Sequence, residues 1–70
     1  MDVIKTVVIR HANGNVKKRY TLKNGRIDGK VSSFWENGAP RQLVTFVEGF
    51  PRGNIKEWDA NYKLKRVYKA

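Results

Sequence analysis

The chain repeats itself with a period of 24 residues. Asn13-Gly14, Asn37-Gly38 and Asn61-Tyr62 fall at that spacing, as do Thr21 and Thr45, Gly25 and Gly49, Gly29 and Gly53, and the apolar set Val7, Val31 and Ile55. Two periods apart, Lys17 meets Lys65 and Tyr20 meets Tyr68. A fixed repeat of this length makes each copy a small supersecondary unit that cannot bury its apolar side alone and must lie against its neighbour. No linker, low-complexity stretch or composition shift divides the chain, so residues 1–70 read as one domain holding a little under three copies.

Within each copy the pattern is that of strands. Residues 2–11, DVIKTVVIRH, are rich in β-branched side chains that are stiff at χ1 and favour a pleated surface. The Asn13-Gly14 pair that follows is a hairpin signal, because both central residues of a type I′ turn need positive φ. Residues 16–23 then alternate between apolar or long side chains and basic or polar ones, as a half-exposed strand does. Asn24 to Gly29, and its copy Glu48 to Gly53, read as longer turns with a glycine at each end. Residues 30–35 and 54–58 are matching short strands, and residues 41–47 and 63–69 return. No segment sustains a 3.6-residue apolar period, so the expected fold is all-β, an antiparallel meander of about six short strands.

Tyr20, Asn24-Gly25, Gly29, Phe34-Trp35, Asn37-Gly38, Gly49, Gly53, Trp58 and Asn61 together resemble the MORN-type repeat in its bacterial and phage variant, as in YwqK-like antitoxins. The resemblance spans residues 8–68. The second copy departs from it with Glu48 in place of Asn, and the third with Tyr62 in place of Gly. It implies a twisted meander of 24-residue hairpin repeats, and roles in protein interaction, toxin neutralisation or phospholipid contact.

Fifteen Lys and Arg against six Asp and Glu leave a net charge of +9, and the pI is near 10.3. An excess of this kind favours polyanionic partners and says nothing of fold. Alternation turns it into a pattern. One side of the sheet is expected to carry Val16, Tyr20, Leu22, Val44, Phe46, Leu64 and Tyr68, and the other Lys17, Arg19, Lys23, Arg41, Lys65 and Lys69. These six cations can follow a phosphate backbone, or they can solvate an outer surface and guard an edge. Lys18, Gln42 and Arg66 form a column on the apolar side, beside the turns, where long stems lie along the sheet. Trp35, Trp58 and Tyr62 are candidates for stacking on unpaired bases or for filling the core.

The chemistry of catalysis is sparse. A lone histidine, His11, shares its repeat column with Trp35 and Asp59, and an acid–base pair with Glu57 or Asp59 is the most a ribonuclease reading can find. The expectation is a protein that is not an enzyme, with no cofactor and no metal site. The sequence has no cysteine and no apolar run near the roughly 20 residues of a membrane span, which favours the cytoplasm of a bacterial or phage-infected cell. The leading functional expectation is non-catalytic binding of nucleic acid, RNA before DNA. The alternative is an antitoxin or inhibitor that neutralises an acidic protein toxin or nuclease through the same face, with RNA bridging the two; anionic lipid comes third. The apolar strand from Val3 to Ile9 is a pairing template for a homodimer.

Overall fold

The computed structural model describes residues 1–70. Its strands are β1 (Ile4–Arg10), β2 (Val16–Lys23), β3 (Arg26–Ile27), β4 (Gly29–Phe34), β5 (Pro40–Val47), β6 (Phe50–Trp58) and β7 (Leu64–Lys69). They take up 66% of the chain, with no helix, so no helix is long and apolar enough to cross a membrane. All seven join one antiparallel sheet in the order β1-β2-β4-β5-β6-β7, with β3 beside β2. This is the all-β meander that the alternation predicts. β1 and β7 are its open edges.

The two ends of the sheet are built differently, and here the turn chemistry departs from expectation. At Asn13-Gly14 only the glycine has positive φ (92°). The loop is instead closed by His11 N–H to Asn15 O at 2.8 Å and Gly14 N–H to His11 O at 3.0 Å. Trp35 to Ala39 and Asp59 to Lys63 repeat the first bond, at 2.8 and 2.9 Å, and Gly38 to Trp35 and Tyr62 to Asp59 the second. Tyr62, where the repeat calls for glycine, adopts φ of 66° all the same. The type I′ signature lies at the opposite end, at Asn24-Gly25 (53°, 83°) and Glu48-Gly49 (50°, 89°). Both were expected as long loops. Because two residues suffice to reverse the chain, the strand resumes at once, and β6 begins at Phe50, four residues before the expected strand. β3 and β4 are one path interrupted at Asp28, whose Oδ2 accepts the Glu48 N–H at 3.1 Å.

The sheet is a single layer. Its Cα extents are 41 × 30 × 11 Å, and its radius of gyration of 12.9 Å exceeds the about 11 Å of a compact domain of this length. Only Val31, Ala39 and Val44 are buried. The expected packed side therefore has a central valine pair and little else out of water. Val16 and Leu64, assigned to that side by simple alternation, lie beyond register shifts that pair them with Arg10 and Trp58.

Candidate functional site

In an antiparallel sheet, residues directly opposite each other share a face, and alternate residues of one strand share it too. One complete row runs Ile9, Lys18, Ser33, Gln42, Glu57, Arg66. On the same face lie Val7 opposite Tyr20, Val31 opposite Val44, Ile55 opposite Tyr68, and Leu22 opposite Ile27. We call this the valine face. The Lys18, Gln42 and Arg66 column sits on it, as the alternation predicts.

The opposite face has its own complete row, Val8, Arg19, Ser32, Leu43, Lys56, Val67. Around it lie Lys23 opposite Arg26, Lys30 and Arg52 on either side of Thr45, and Lys69 opposite Asn54. Arg10 follows by alternation from Ile9. Eight cations (Arg10, Arg19, Lys23, Arg26, Lys30, Arg52, Lys56 and Lys69) thus occupy one face. No strand carboxylate joins them, because the only acidic residue inside a strand is Glu57, on the other face. The remaining acids stand in turns or near the N-terminus, where Asp2 meets Lys23 at 3.6 Å. Hydrogen bonding by the Asn24 amide, and then the Lys23 charge, hold the Asp2 carboxyl below its ordinary value.

Of the six cations expected to form a stripe, Arg19, Lys23 and Lys69 share this cationic face. Lys17, Arg41 and Lys65 form a separate set. Each is the extra residue where the register shifts, between Ile9 and Arg10, Ser33 and Phe34, and Glu57 and Trp58, so each stands at the looped end of the sheet. Arg41 lies over the Trp35 ring, 4.6 Å from its centroid. Lys17 and Arg41 share a groove with His11, Phe34 and Trp35, and Arg41 and Lys65 share the adjoining one with Trp35, Trp58 and Glu57. The structure therefore replaces one stripe with two basic regions.

The looped end is held by a ladder that carries the repeat from turn to turn. His11 Nε2, bearing the proton, donates to Phe34 O at 2.9 Å, and Trp35 Nε1 donates to Trp58 O at 3.2 Å. Asn13 Nδ2 donates to Glu36 O and Asn37 Nδ2 to Ala60 O, both at 2.8 Å. His11 is thereby tied to backbone, and β6, the strand of Glu57, lies four strands away from β1, roughly 19 Å at the usual strand spacing. No three His, Cys, Asp or Glu side chains come together as a metal site would need.

Three aromatic side chains whose side the alternation does not fix belong to the cationic face by register: Phe34, Trp58 and Phe50, the last opposite Val47 and exposed. Tyr62 is exposed at a turn tip, while the indole of Trp35 is committed to Trp58 and covered by Arg41. Arg26, Lys30, Arg52 and Lys56 also went unassigned in the sequence. The usable signal was Glu48-Gly49: taken as a two-residue turn equivalent to Asn24-Gly25, it starts a strand at Phe50 and fixes the side of Arg52 and Lys56 by parity.

On the valine face, Glu57 is the hub. Tyr68 Oη donates to its Oε2 at 2.8 Å, Gln42 Nε2 to the same oxygen at 3.1 Å, and Arg66 Nε meets Oε1 at 3.0 Å. The Tyr68 hydrogen bond is the largest cause holding the Glu57 carboxyl below its ordinary value, and the same bond raises the Tyr68 phenol. The chain matches no protein-family model, no curated protein and no solved structure, so its geometry is the basis for reading its function.

Proposed function

We propose that the chain is a non-catalytic binding protein whose cationic face takes single-stranded nucleic acid, RNA before DNA. The observation that carries this reading is a face on which the strands bear charge of one sign only. Eight cations stand on one face with no strand carboxylate beside them, and only two ion pairs form in the whole chain. A solvated outer surface ordinarily mixes both signs. A face of one sign attracts a phosphate chain, and each contact releases counterions.

The shape favours a flexible strand over a duplex. No helix is present to enter a major groove. An open sheet with Phe34, Phe50 and Trp58 among its cations offers both charge and base-stacking surfaces. The hydroxyls of Thr6, Thr21, Ser32 and Thr45 lie on the same face, which supports RNA before DNA, since hydroxyls can hydrogen-bond the ribose 2′-hydroxyl that distinguishes RNA.

The test is fluorescence anisotropy with a labelled single-stranded RNA at several salt concentrations. With about five phosphates neutralised, affinity should fall by about a hundredfold between 50 and 200 mM salt. The triple change Arg19→Glu, Lys30→Glu, Lys56→Glu should abolish binding and leave the strand signal in circular dichroism intact. Binding that ignores both salt and the triple change would sink the reading. A protein that co-purifies from cells and survives nuclease treatment would instead indicate direct recognition of an acidic protein partner.

A further inference from the structure

The valine face has no cover. A sheet with one apolar side must bury it against another layer, yet every strand here belongs to the same layer, and Tyr20, Leu22, Ile27, Phe46 and Ile55 remain half-exposed around Val31 and Val44. The chain exposes 5284 Å², whereas a folded monomer of its 8.1 kDa mass is expected to expose about 4,500 Å². The excess, about 800 Å², is the area each partner contributes to a standard stable interface.

We infer that two copies of this chain pack valine face to valine face, forming a two-layer sandwich with the cationic faces outward. Charge selects this occupant. The valine face carries Lys5, Lys18, Glu57 and Arg66, with Arg41 and Lys65 in the groove at its looped end, against eight cations on the other face. Most of its charges are already engaged. Glu57 is paired with Arg66 and hydrogen-bonded by Tyr68 and Gln42. Lys18 lies over the Tyr20 ring at 5.5 Å, and Arg66 over the Tyr68 ring at 5.8 Å. Lys5 stands on the edge strand. Two chains of charge +9 can approach through this face with their densest charge directed outward. Sheets stacked about 10 Å apart then hold the cationic faces beyond the about 8 Å screening length of physiological salt. Pairing along β1 would leave both valine faces wet and set the cationic faces side by side.

The chain has no cysteine, so single cysteines report each face cleanly. Ser33→Cys lies on the valine face, and Ser32→Cys, its neighbour in β4, on the cationic face. Nuclease-treated protein, washed at high salt, is examined by analytical ultracentrifugation, and each variant is labelled with a maleimide. The expected result is a mass twice the 8.1 kDa of the chain, with Ser33→Cys labelled at least about tenfold more slowly than Ser32→Cys, as for a site that must open to react. The double change Tyr20→Glu, Phe46→Glu should shift the wild-type mass to that of the monomer. If that variant fails to fold, the cysteine pair still decides. A folded monomer overturns the inference. So does a dimer in which Ser33→Cys is not protected relative to Ser32→Cys, the pattern of edge-to-edge pairing. Neither reading depends on RNA, so loss of RNA binding leaves this result untouched.

Discussion

Val44 and Thr45 are neighbours in one strand and live in different surroundings. Val44 meets Val31 at the centre of the valine face and is 7% exposed, while Thr45 stands in water between Lys30 and Arg52. One step along the backbone separates a residue buried at the centre of the sheet from one exposed among cations. The same substitution at the two sites should therefore have opposite consequences. Val44→Asp places a carboxylate where no hydrogen-bond donor waits, at a cost of about 3 kcal/mol or more. A domain of this size has only about 3–5 kcal/mol to lose, so the variant should be unfolded by circular dichroism at 25 °C. Thr45→Asp should fold with stability within about 0.5 kcal/mol of wild type. It should bind RNA more weakly, its salt slope reduced by about 0.7 for each phosphate contact it cancels. Equal stability loss at the two sites would show that the faces do not differ in the way the register assigns.

The division of labour has a counterpart along the strands. At the Asn24-Gly25 and Glu48-Gly49 end, two residues of positive φ reverse the chain. At the looped end, side chains carry the order from one turn to the next. Asn37 is the clearest case: its Oδ1 accepts the Ala39 N–H at 2.9 Å while its Nδ2 donates to Ala60 O at 2.8 Å. Asn37→Ala removes both bonds and should cost about 1 kcal/mol, lowering the melting temperature by roughly 4–8 °C. Since Asn37→Ala removes no charge, the salt dependence of RNA binding below the transition should not change. A variant that melts like wild type would show that the ladder follows from strand pairing and does not reinforce it.

The fold was legible because alternation and spacing are local. Residues 16–23 show their two sides without help, and the repeat transfers that reading to β5 and β7. Residues 24–34 and 48–58 were harder. Val31 and Phe34, like Ile55 and Trp58, are three apart and so fall on opposite faces, which hid the sides of Lys30, Arg52 and Lys56. The deciding fact, that Glu48 accepts a φ of 50° and lets a two-residue turn form, is a backbone property that a glutamate does not advertise. The register shifts at Lys17, Arg41 and Lys65 were also invisible. An extra residue in one strand is defined only by its partner strand, so these three cations were grouped with Arg19, Lys23 and Lys69 by parity alone. The single-layer architecture was out of reach for a further reason: apolar alternation says that a face wants covering, and nothing about what covers it.

The smallest expected effect separates the faces by pH. Glu57 is the one strand carboxylate, and on the valine face the Tyr68 hydrogen bond, then Gln42 and Arg66, keep its folded value below the ordinary 4.5, against the opposing effect of desolvation. A lowered folded value means that the ionised form is favoured in the sheet. The stabilisation is therefore fully present above about pH 4.5 and is lost as pH falls through the lower folded value. Tyr68 supplies the mirror image: its phenol is raised above 10.0 by donating to Glu57, so the same bond is kept below that pH and lost as pH rises through the higher folded value. In the single sheet Tyr68 is exposed and Glu57 half-buried, and screening keeps the effect slight there. Melting temperature followed from pH 7 to pH 3 should fall less steeply in Glu57→Gln than in wild type. Asp2→Asn serves as a control, removing the separate acid contribution of the carboxyl held by Asn24 and Lys23. A Glu57→Gln curve parallel to wild type across this range would mean that the hydrogen bonds to Glu57 hold the native sheet no better than water does.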